Sequence, residues 1–273
     1  MSTLEFSFPA QLERVKATLV AQTKTLAAVA GIYADALEHD GLVHVYANGH
    51  SRIAVEETVV RMGALTGFHP LLTAGLVTFT DVVGPNGIRV NQEVERIEGL
   101  GAALLSEFDV GPHDVLLVVS ATGTTVAAVD IALEWQRRYP QLPLVALASL
   151  EQARLAAPKH SSGKTLYHVV QAAERGFFLD NSMPMGDLTV QVEGQTGAYQ
   201  VCPLSSIGAL AVVQSLNELT IRELDHRGVA HPVLRNMHLS DTIDSYDLWV
   251  RDQRRRYARA LSRDDAVPPR RTR

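Results

Sequence analysis

The sequence predicts an α/β fold in which a parallel sheet is covered by helices on both faces. Three observations carry that expectation. Short apolar runs at 42–47, 114–119 and 144–148 alternate with helix-like segments, the order that builds strand–helix–strand units. Each run is apolar on both parities, as strands buried on both faces are. Two of the runs end in turns of glycine and hydroxyl residues that lead into helices, the place where open parallel sheets hold ligands.

Taken in order, residues 9–39 read as one long N-terminal helix. Leu12, Val15, Leu19, Leu26, Val29, Tyr33 and Leu37 recur at three- and four-residue steps or their sums. Pro9 suits its first turn, and Asp40-Gly41 stops it. The run at 42–47 is the first strand, too short for a helix, and ends in Asn48-Gly49. Residues 52–64 and 91–107 read as helices around a weaker apolar segment at 71–79, with Gly84-Pro85-Asn86-Gly87 as a loop. The run at 114–119 is the second strand. It is followed by Ser120-Ala121-Thr122-Gly123-Thr124-Thr125 and a helix to about Arg138. The third strand, 144–148, passes through Ser149 into a helix over 150–156. Residues 188–192 and 198–201 alternate around Glu193-Gly194-Gln195-Thr196-Gly197, the pattern of a β-hairpin. Residues 205–224 form an unusually apolar helix, suited to the core or to a subunit contact. A polar helix covers 243–262. One domain over 1–262 accounts for the chain, and 263–273 is a disordered basic tail marked by Pro268-Pro269.

Composition excludes several classes. Hydrophobic residues at 46% and charged residues at 20% suit a globular core. No apolar run approaches the ~20 residues that span a bilayer, and the polar N-terminus reads as neither signal peptide nor anchor. A cytoplasmic protein with no membrane partner is expected. The net charge of −5 argues against nucleic acid as a partner. Arginines do cluster at 251–256 and 270–273, which reads as a solvated helix face and a frayed tail. Cys202 is the only cysteine, so disulfides and a cysteine-based zinc site are excluded.

The chemistry is expected in two turns, Asn48-Gly49-His50-Ser51 and Ser120 to Thr125. Glycine lets backbone approach an anion, exposed amides supply positive potential, and hydroxyls complete a phosphate shell. Helix capping alone would explain one such turn; two in matching places point to binding. Two nucleotide motifs fail. Gly49 lacks the partners of a Gly-x-Gly-x-x-Gly fingerprint, since Ala47 and Arg52 hold those positions. Ser161-Ser162-Gly163-Lys164-Thr165 imitates the end of a P-loop, but Pro158 replaces its first glycine.

An ordered series of segments carries a resemblance. It comprises Asn48-Gly49-His50-Ser51 with Glu56-Glu57, Glu95-Arg96-Ile97-Glu98-Gly99, Ser120 to Gly123, Ser149-Leu150-Glu151, His160-Ser161-Ser162-Gly163-Lys164 and Pro184-Met185-Gly186-Asp187. On these the chain resembles the SIS (sugar isomerase) domain family, most closely a branch described as phosphoheptose isomerases. The resemblance runs from the first helix to about Leu224. It implies a flavodoxin-like doubly wound parallel sheet, a homodimer or homotetramer with sites near subunit contacts, and a sugar phosphate as small-molecule ligand. By position Asn48, Ser51, Ser120, Thr122 and Thr125 match its phosphosugar-binding loops. Ala121 stands where relatives of this branch usually carry Asn, and His238-Leu239-Ser240-Asp241 replaces an acidic stretch with Asn and Gly. Arg61 holds the place, ten residues after Ser51, of the catalytic glutamate of phosphoheptose isomerases.

Isomerising a sugar needs a base for a carbon-bound proton and a group that shuttles protons on oxygen. Glu57 or Glu56, in the first turns of the helix after Ser51, is the candidate base, with Glu57 favoured; the alternative is that both are solvated helix carboxylates. His160 or His50 is the candidate for oxygen protons. Gly49, Gly123, Ser161, Ser162 and Lys164 join the binding set, Lys164 as a charge for phosphate. Arg96 and Glu98 read as a structural ion pair, and Asp187 as a cap after Gly186. No His spacing supports a metal, so neither metal nor cofactor is expected. The expected activity is aldose–ketose isomerisation through an enediol. The alternatives are an amino-sugar-phosphate lyase or etherase, and a non-catalytic sensor.

Overall fold

A computed structural model describes residues 6–77, 84, 87–236, 238 and 243–261. The glycine–proline loop at 84–87, the stretch at 238–241 and the basic tail lie wholly or largely outside the described residues. The expected long first helix is two, α1 (Phe8–Ala21) and α2 (Thr23–Glu38). Its apolar spacing continues across the joint, but Gln22 turns aside. Gln22 Nε2 donates to Asp180 O, and Gln22 Oε1 accepts from Asp180 N, both at 2.9 Å. Asp40, at φ 58°, ends the pair.

Five parallel strands follow: β1 (Val43–Ala47), β2 (Phe68–Leu71), β3 (Val115–Val119), β4 (Leu144–Ala148) and β5 (Gly176–Asp180), in the order β2-β1-β3-β4-β5. This is the flavodoxin-like arrangement, whose direction of growth reverses between β1 and β3. β1, β3 and β4 fall within a residue or so of the runs that predicted them, and every residue in them is buried. β2 and β5, the edges, were not expected. β2 carries Pro70, and β5 is only partly buried, so neither shows an unbroken apolar run. Pro70 is tolerated because an edge strand needs fewer ladder donors.

The two parities of the strands feed two cores. Val43, Val45, Ala47, Val115, Leu117, Val119, Val145 and Leu147 pack against α2, α3 (Arg52–Thr58) and α10 (Ser205–His226). Tyr46, Leu116, Val118, Leu144, Ala146 and Ala148 face the other way. They meet α6 (Leu100–Leu105), α7 (Val126–Arg138) and α9 (Leu166–Ala172). Each fully buried aliphatic side chain contributes about 1.5–3 kcal/mol, so strand and helix order are fixed together. The helix expected at 52–64 ends at Thr58, with Val60 at φ 56° beyond it. The helix expected at 91–107 is two, α5 (Ile88–Val94) and α6, separated by Gly99 at φ 94°. Between β2 and α5 lies the single turn α4 (Ala74–Val77), and α8 (Leu150–Leu155) follows β4 as expected.

The hairpin is present as β6 (Leu188–Gly194) and β7 (Gly197–Pro203), joined by Gln195 and Thr196. The apolarity of α10 has a core explanation: Ala209, Val212, Val213, Leu216 and Leu224 are buried against α2 and the sheet. The last helix, α11 (Ile243–Leu261), corrects one expectation in part: Arg251, Arg254 and Arg255 are exposed, but Arg256 and Arg259 are not on a solvated face. Arg256 is 4% exposed and donates to Leu37 O and Gly41 O, closing the end of α2. Arg255 pairs with Asp40 and Asp252, and Arg259 with Asp114. Among the described residues no helix is long and apolar enough to cross a membrane.

Candidate functional site

β1 and β3 are direct neighbours, with Ala47 opposite Val119, so the turns that follow them emerge side by side. Asn48 is extended, and Gly49, at φ 59°, starts a single 3-10 turn, Gly49–Ser51, that runs into α3. A β-carbon at Gly49 would meet nothing within 4 Å; the left-handed backbone, not space, calls for glycine there. The second turn is braced from behind. Ser120 Oγ accepts from Gly123 N at 3.1 Å, and Thr122 Oγ1 from Thr124 N at 3.2 Å. Ala121 O receives Ser149 N and Asn181 Nδ2, and Gly123 O receives Leu166 N. Ser120 accepts in this pattern, which leaves its hydroxyl proton to donate to an incoming oxygen.

Between these turns opens a cleft of about 420 Å³, within the ~300–1,000 Å³ of small-molecule sites. Of the residues expected to bind, Asn48, Gly49, His50, Ser51, Ser120, Thr122 and Thr125 line it together. Gly123 does not. It lies behind the turn at φ 72°, where a β-carbon would come within 2.8 Å of Ala153 Cβ.

Of the candidate catalysts His50 lines the cleft, and the others stand elsewhere. Glu57 is turned toward α10: its Oε1 accepts from Gln214 Nε2 at 2.7 Å and from Arg61 Nε at 3.1 Å. Glu56 pairs with Arg52 and is 59% exposed. Neither lines the cleft within the chain, because α3 directs them to its outer sides. His160, Ser161, Ser162 and Lys164 are also not among the lining residues. His160 is buried between Asp130 and Glu98, and Lys164 is exposed. The expected Arg96–Glu98 pair is absent: Arg96 meets Glu93 at 2.8 Å, and Glu98 accepts from Ser161 N at 2.7 Å.

Residues that the sequence reading gave no role complete the cleft. Asn91, Gln92 and Glu95 reach it from α5 and its end, Ser205 and Ser206 from the first turn of α10, and Lys159 from the loop after α8. Asp187 does cap a helix start. Its Oδ1 accepts from Leu204 N and Ser205 N at 2.8 Å, and its Oδ2 from Ser205 Oγ at 2.7 Å. Glu95 is fixed at both ends, its backbone oxygen accepting from Ala127 N at the start of α7 and its Oε2 from Asn48 Nδ2 at 2.7 Å. Burial pushes the Glu95 carboxyl above the usual carboxylate range, against the Asn48 hydrogen bond and the charges of Lys159 and Arg96. A signal for Glu95 existed, since it sits in a quoted segment of the resemblance, but only the docking of α5 places it across from the turns. Among the described residues no three His, Cys, Asp or Glu side chains are grouped to hold a metal ion.

A doubly wound sheet with a hydroxyl-lined cleft at its switch point defines the class as a flavodoxin-like α/β protein. Residues 8–149, just over half of the chain, match the model described as the SIS domain, and the chain belongs to that family. It is 26% identical to a UPF0309 protein of Listeria monocytogenes over 232 residues, 85% of this chain and 88% of that one. A UPF0309 protein of Thermoanaerobacter pseudethanolicus is 29% identical over 198 residues, 72% and 74% of the two chains. Among solved structures, a phosphoheptose isomerase from Francisella tularensis superposes with a TM-score of 0.48 at 16% identity, over 79% of this chain and 94% of that one.

Proposed function

We propose that the cleft binds a sugar phosphate and that the chain interconverts its aldose and ketose forms through an enediol. One observation carries the reading: a half-buried carboxylate, Glu95, stands in the same cleft as two adjoining glycine–hydroxyl turns. The turns suit a phosphate, which Ser51, Ser120, Thr122 and Thr125 can meet with hydroxyls and Gly49 with close backbone. Anchoring at the phosphate leaves binding energy to orient the carbonyl end. Glu95, raised by burial and held by Asn48, then takes the proton from the carbon beside the carbonyl and returns it to the neighbouring carbon. His50, which also lines the cleft, moves the proton between the two oxygens. Glu95 takes the role expected of Glu57 or Glu56, and of the two candidate histidines it is His50 rather than His160 that serves the oxygens, because Glu95 and His50 share the cleft with the turns. Family membership supports the ligand class.

A thermal-shift panel of phosphorylated and free sugars tests the binding. A ligand at a hundred times its Kd adds about 2.7 kcal/mol, roughly 5–10 °C at this chain length. Equal shifts from sugars with and without phosphate refute the reading. Deuterium uptake from heavy water beside the carbonyl, with the substrate formula otherwise conserved, tests isomerisation; release of a fragment identifies elimination instead.

A further inference from the structure

The loop between α8 and α9 points two consecutive residues to different places. Lys159 lines the cleft, where it is the one lysine or arginine among the described lining residues. His160 turns inward, its side chain only 7% exposed. We propose that Lys159 is the cation that meets the ligand's phosphate, and that His160 is a positioning residue whose latch to Asp130 and Glu98 holds Lys159 there. The phosphate in this statement rests on the function proposed above; the latch does not.

The latch follows from donors and acceptors. His160 Nδ1 accepts from Ser162 N at 3.0 Å, which places the ring proton on Nε2. That proton faces Asp130 Oδ1 at 3.5 Å and Glu98 Oε2 at 3.9 Å. Both carboxylates are themselves fixed. Asp130 accepts from Gly99 N at 3.1 Å and Gly101 N at 2.6 Å, and Glu98 accepts from Ser161 N and Ser161 Oγ. The loop is therefore tied at adjacent residues to the segment that joins α5 to α6, the segment that begins with Glu95. One tie sets where Lys159 and Glu95 stand relative to each other. A lysine carries about 2 kcal/mol of rotamer freedom, and a fixed backbone beside it narrows the region that its ammonium samples.

The chain has four lysines, Lys16, Lys24, Lys159 and Lys164, which makes the latch readable without a ligand. Reductive methylation with labelled formaldehyde keeps the charge and gives one methyl signal set per lysine, with Lys159→Arg assigning the relevant one. In the otherwise unchanged protein, Glu95→Gln is expected to move the Lys159 signal and leave Lys16 and Lys24 in place. In His160→Ala that response is expected to disappear; a response of the same size overturns the latch. Should His160→Ala not fold, Glu98→Ala gives the same readout, since that side chain is 40% exposed and its loss leaves the core intact. Inorganic phosphate is the probe for the second arm. Lys159→Ala is expected to weaken its binding about tenfold or more, as for a hydrogen bond to a charged group. His160→Ala is expected to weaken it several-fold, and the double variant to bind within about a factor of two of Lys159→Ala. Multiplied losses in the double variant overturn the coupling. Failure of the unaltered protein to bind phosphate refutes the proposed function, and the lysine signal still decides the latch.

Discussion

Asn48 shows how a single side chain joins the two halves of the site, since it leaves β1 at the first glycine–hydroxyl turn and hydrogen-bonds Glu95. If Glu95 is the base, Glu95→Gln lowers turnover by about 10²–10⁴-fold while phosphate affinity changes little. The pH dependence has a definite sign. A base works ionised, so the rate falls as pH drops through its pKa. Burial raises that pKa, and the Asn48 amide and Lys159 charge lower it. Asn48→Ala removes a bond that favours the ionised form, so the acidic limb of the rate profile moves to higher pH; a limb that stays or moves down removes Glu95 from the mechanism. Two glycines make a second contrast. Gly49→Ala meets only the left-handed backbone cost of about 1–2 kcal/mol. Gly123→Ala adds a collision with Ala153 and Ala148, so its melting temperature should fall further than that of Gly49→Ala. At this scale the seven residues of the two turns that line the cleft were legible, because each turn follows a strand that is itself legible. Glu95 and Lys159 were not. Their positions depend on how two loops far apart in sequence close over the sheet.

The elements divide along a similar line. Strands β1, β3 and β4 lie in the middle of the sheet, where burial on both faces writes an unbroken apolar run into the sequence. β2 and β5 are edges, and Pro70 or partial exposure breaks the run. The joint between α1 and α2 leaves no local trace, because its cause is the bonding of Gln22 to Asp180, 158 residues away. α11 was legible as a helix but misread in its surroundings: periodicity cannot show that Asp252 will meet Thr66, Arg255 and Arg256. Burial alone would raise the Asp252 carboxyl, and those three partners overcome it, bringing it from 3.8 to about 2. A carboxylate depressed in the folded state adds stability above its unfolded pKa and loses it as pH falls through the folded value. Asp252→Asn leaves Arg256 its bonds to Leu37 O and Gly41 O but, as a carboxylate partner, only the more distant Asp40, at 3.5 Å. Breaking a buried pair costs about 3–5 kcal/mol, and Asp40 offsets part of it, so a loss of about 2–3 kcal/mol is expected at neutral pH. The gap in melting temperature between the two proteins should narrow as the pH falls from about 4 toward 2. A gap that is constant over that range would mean that Asp252 acts by shape rather than by charge.

Across the whole molecule, the cleft and α11 occupy opposite ends of the same strands. At the carboxyl ends of β1 and β3 lie the hydroxyl turns. At the amino ends, His44 on β1 meets Asp114 at 3.0 Å and His69 on β2 at 2.9 Å, while Arg259 of α11 reaches Asp114 at 2.7 Å. Phe108 and Tyr257 pack edge-on against His69. Its imidazole is lowered to about 3, chiefly by burial and then by His44, with Arg259 adding to the effect and Asp114 opposing it. Burial also lowers His231, which bonds Thr66 near the same helix. A histidine held neutral in the fold binds fewer protons than it does in the unfolded chain. Its contribution is present above about 6.5 and is lost as the pH falls toward about 3, by about 1.4 kcal/mol per unit for a fully shifted group. Glu95 and Asp180, whose carboxyls burial raises, act in the opposite sense, but only where carboxylates titrate, at lower pH than the onset of the histidine effect. Acid should therefore loosen the α11 end of the sheet before it affects the cleft. His69→Gln keeps a hydrogen-bonding side chain and removes the titration. Its melting temperature should fall less steeply than that of the unaltered protein between pH 6.5 and 4.5, even where it is lower at pH 8. Parallel curves would show that His69 does not set the acid limit of this fold.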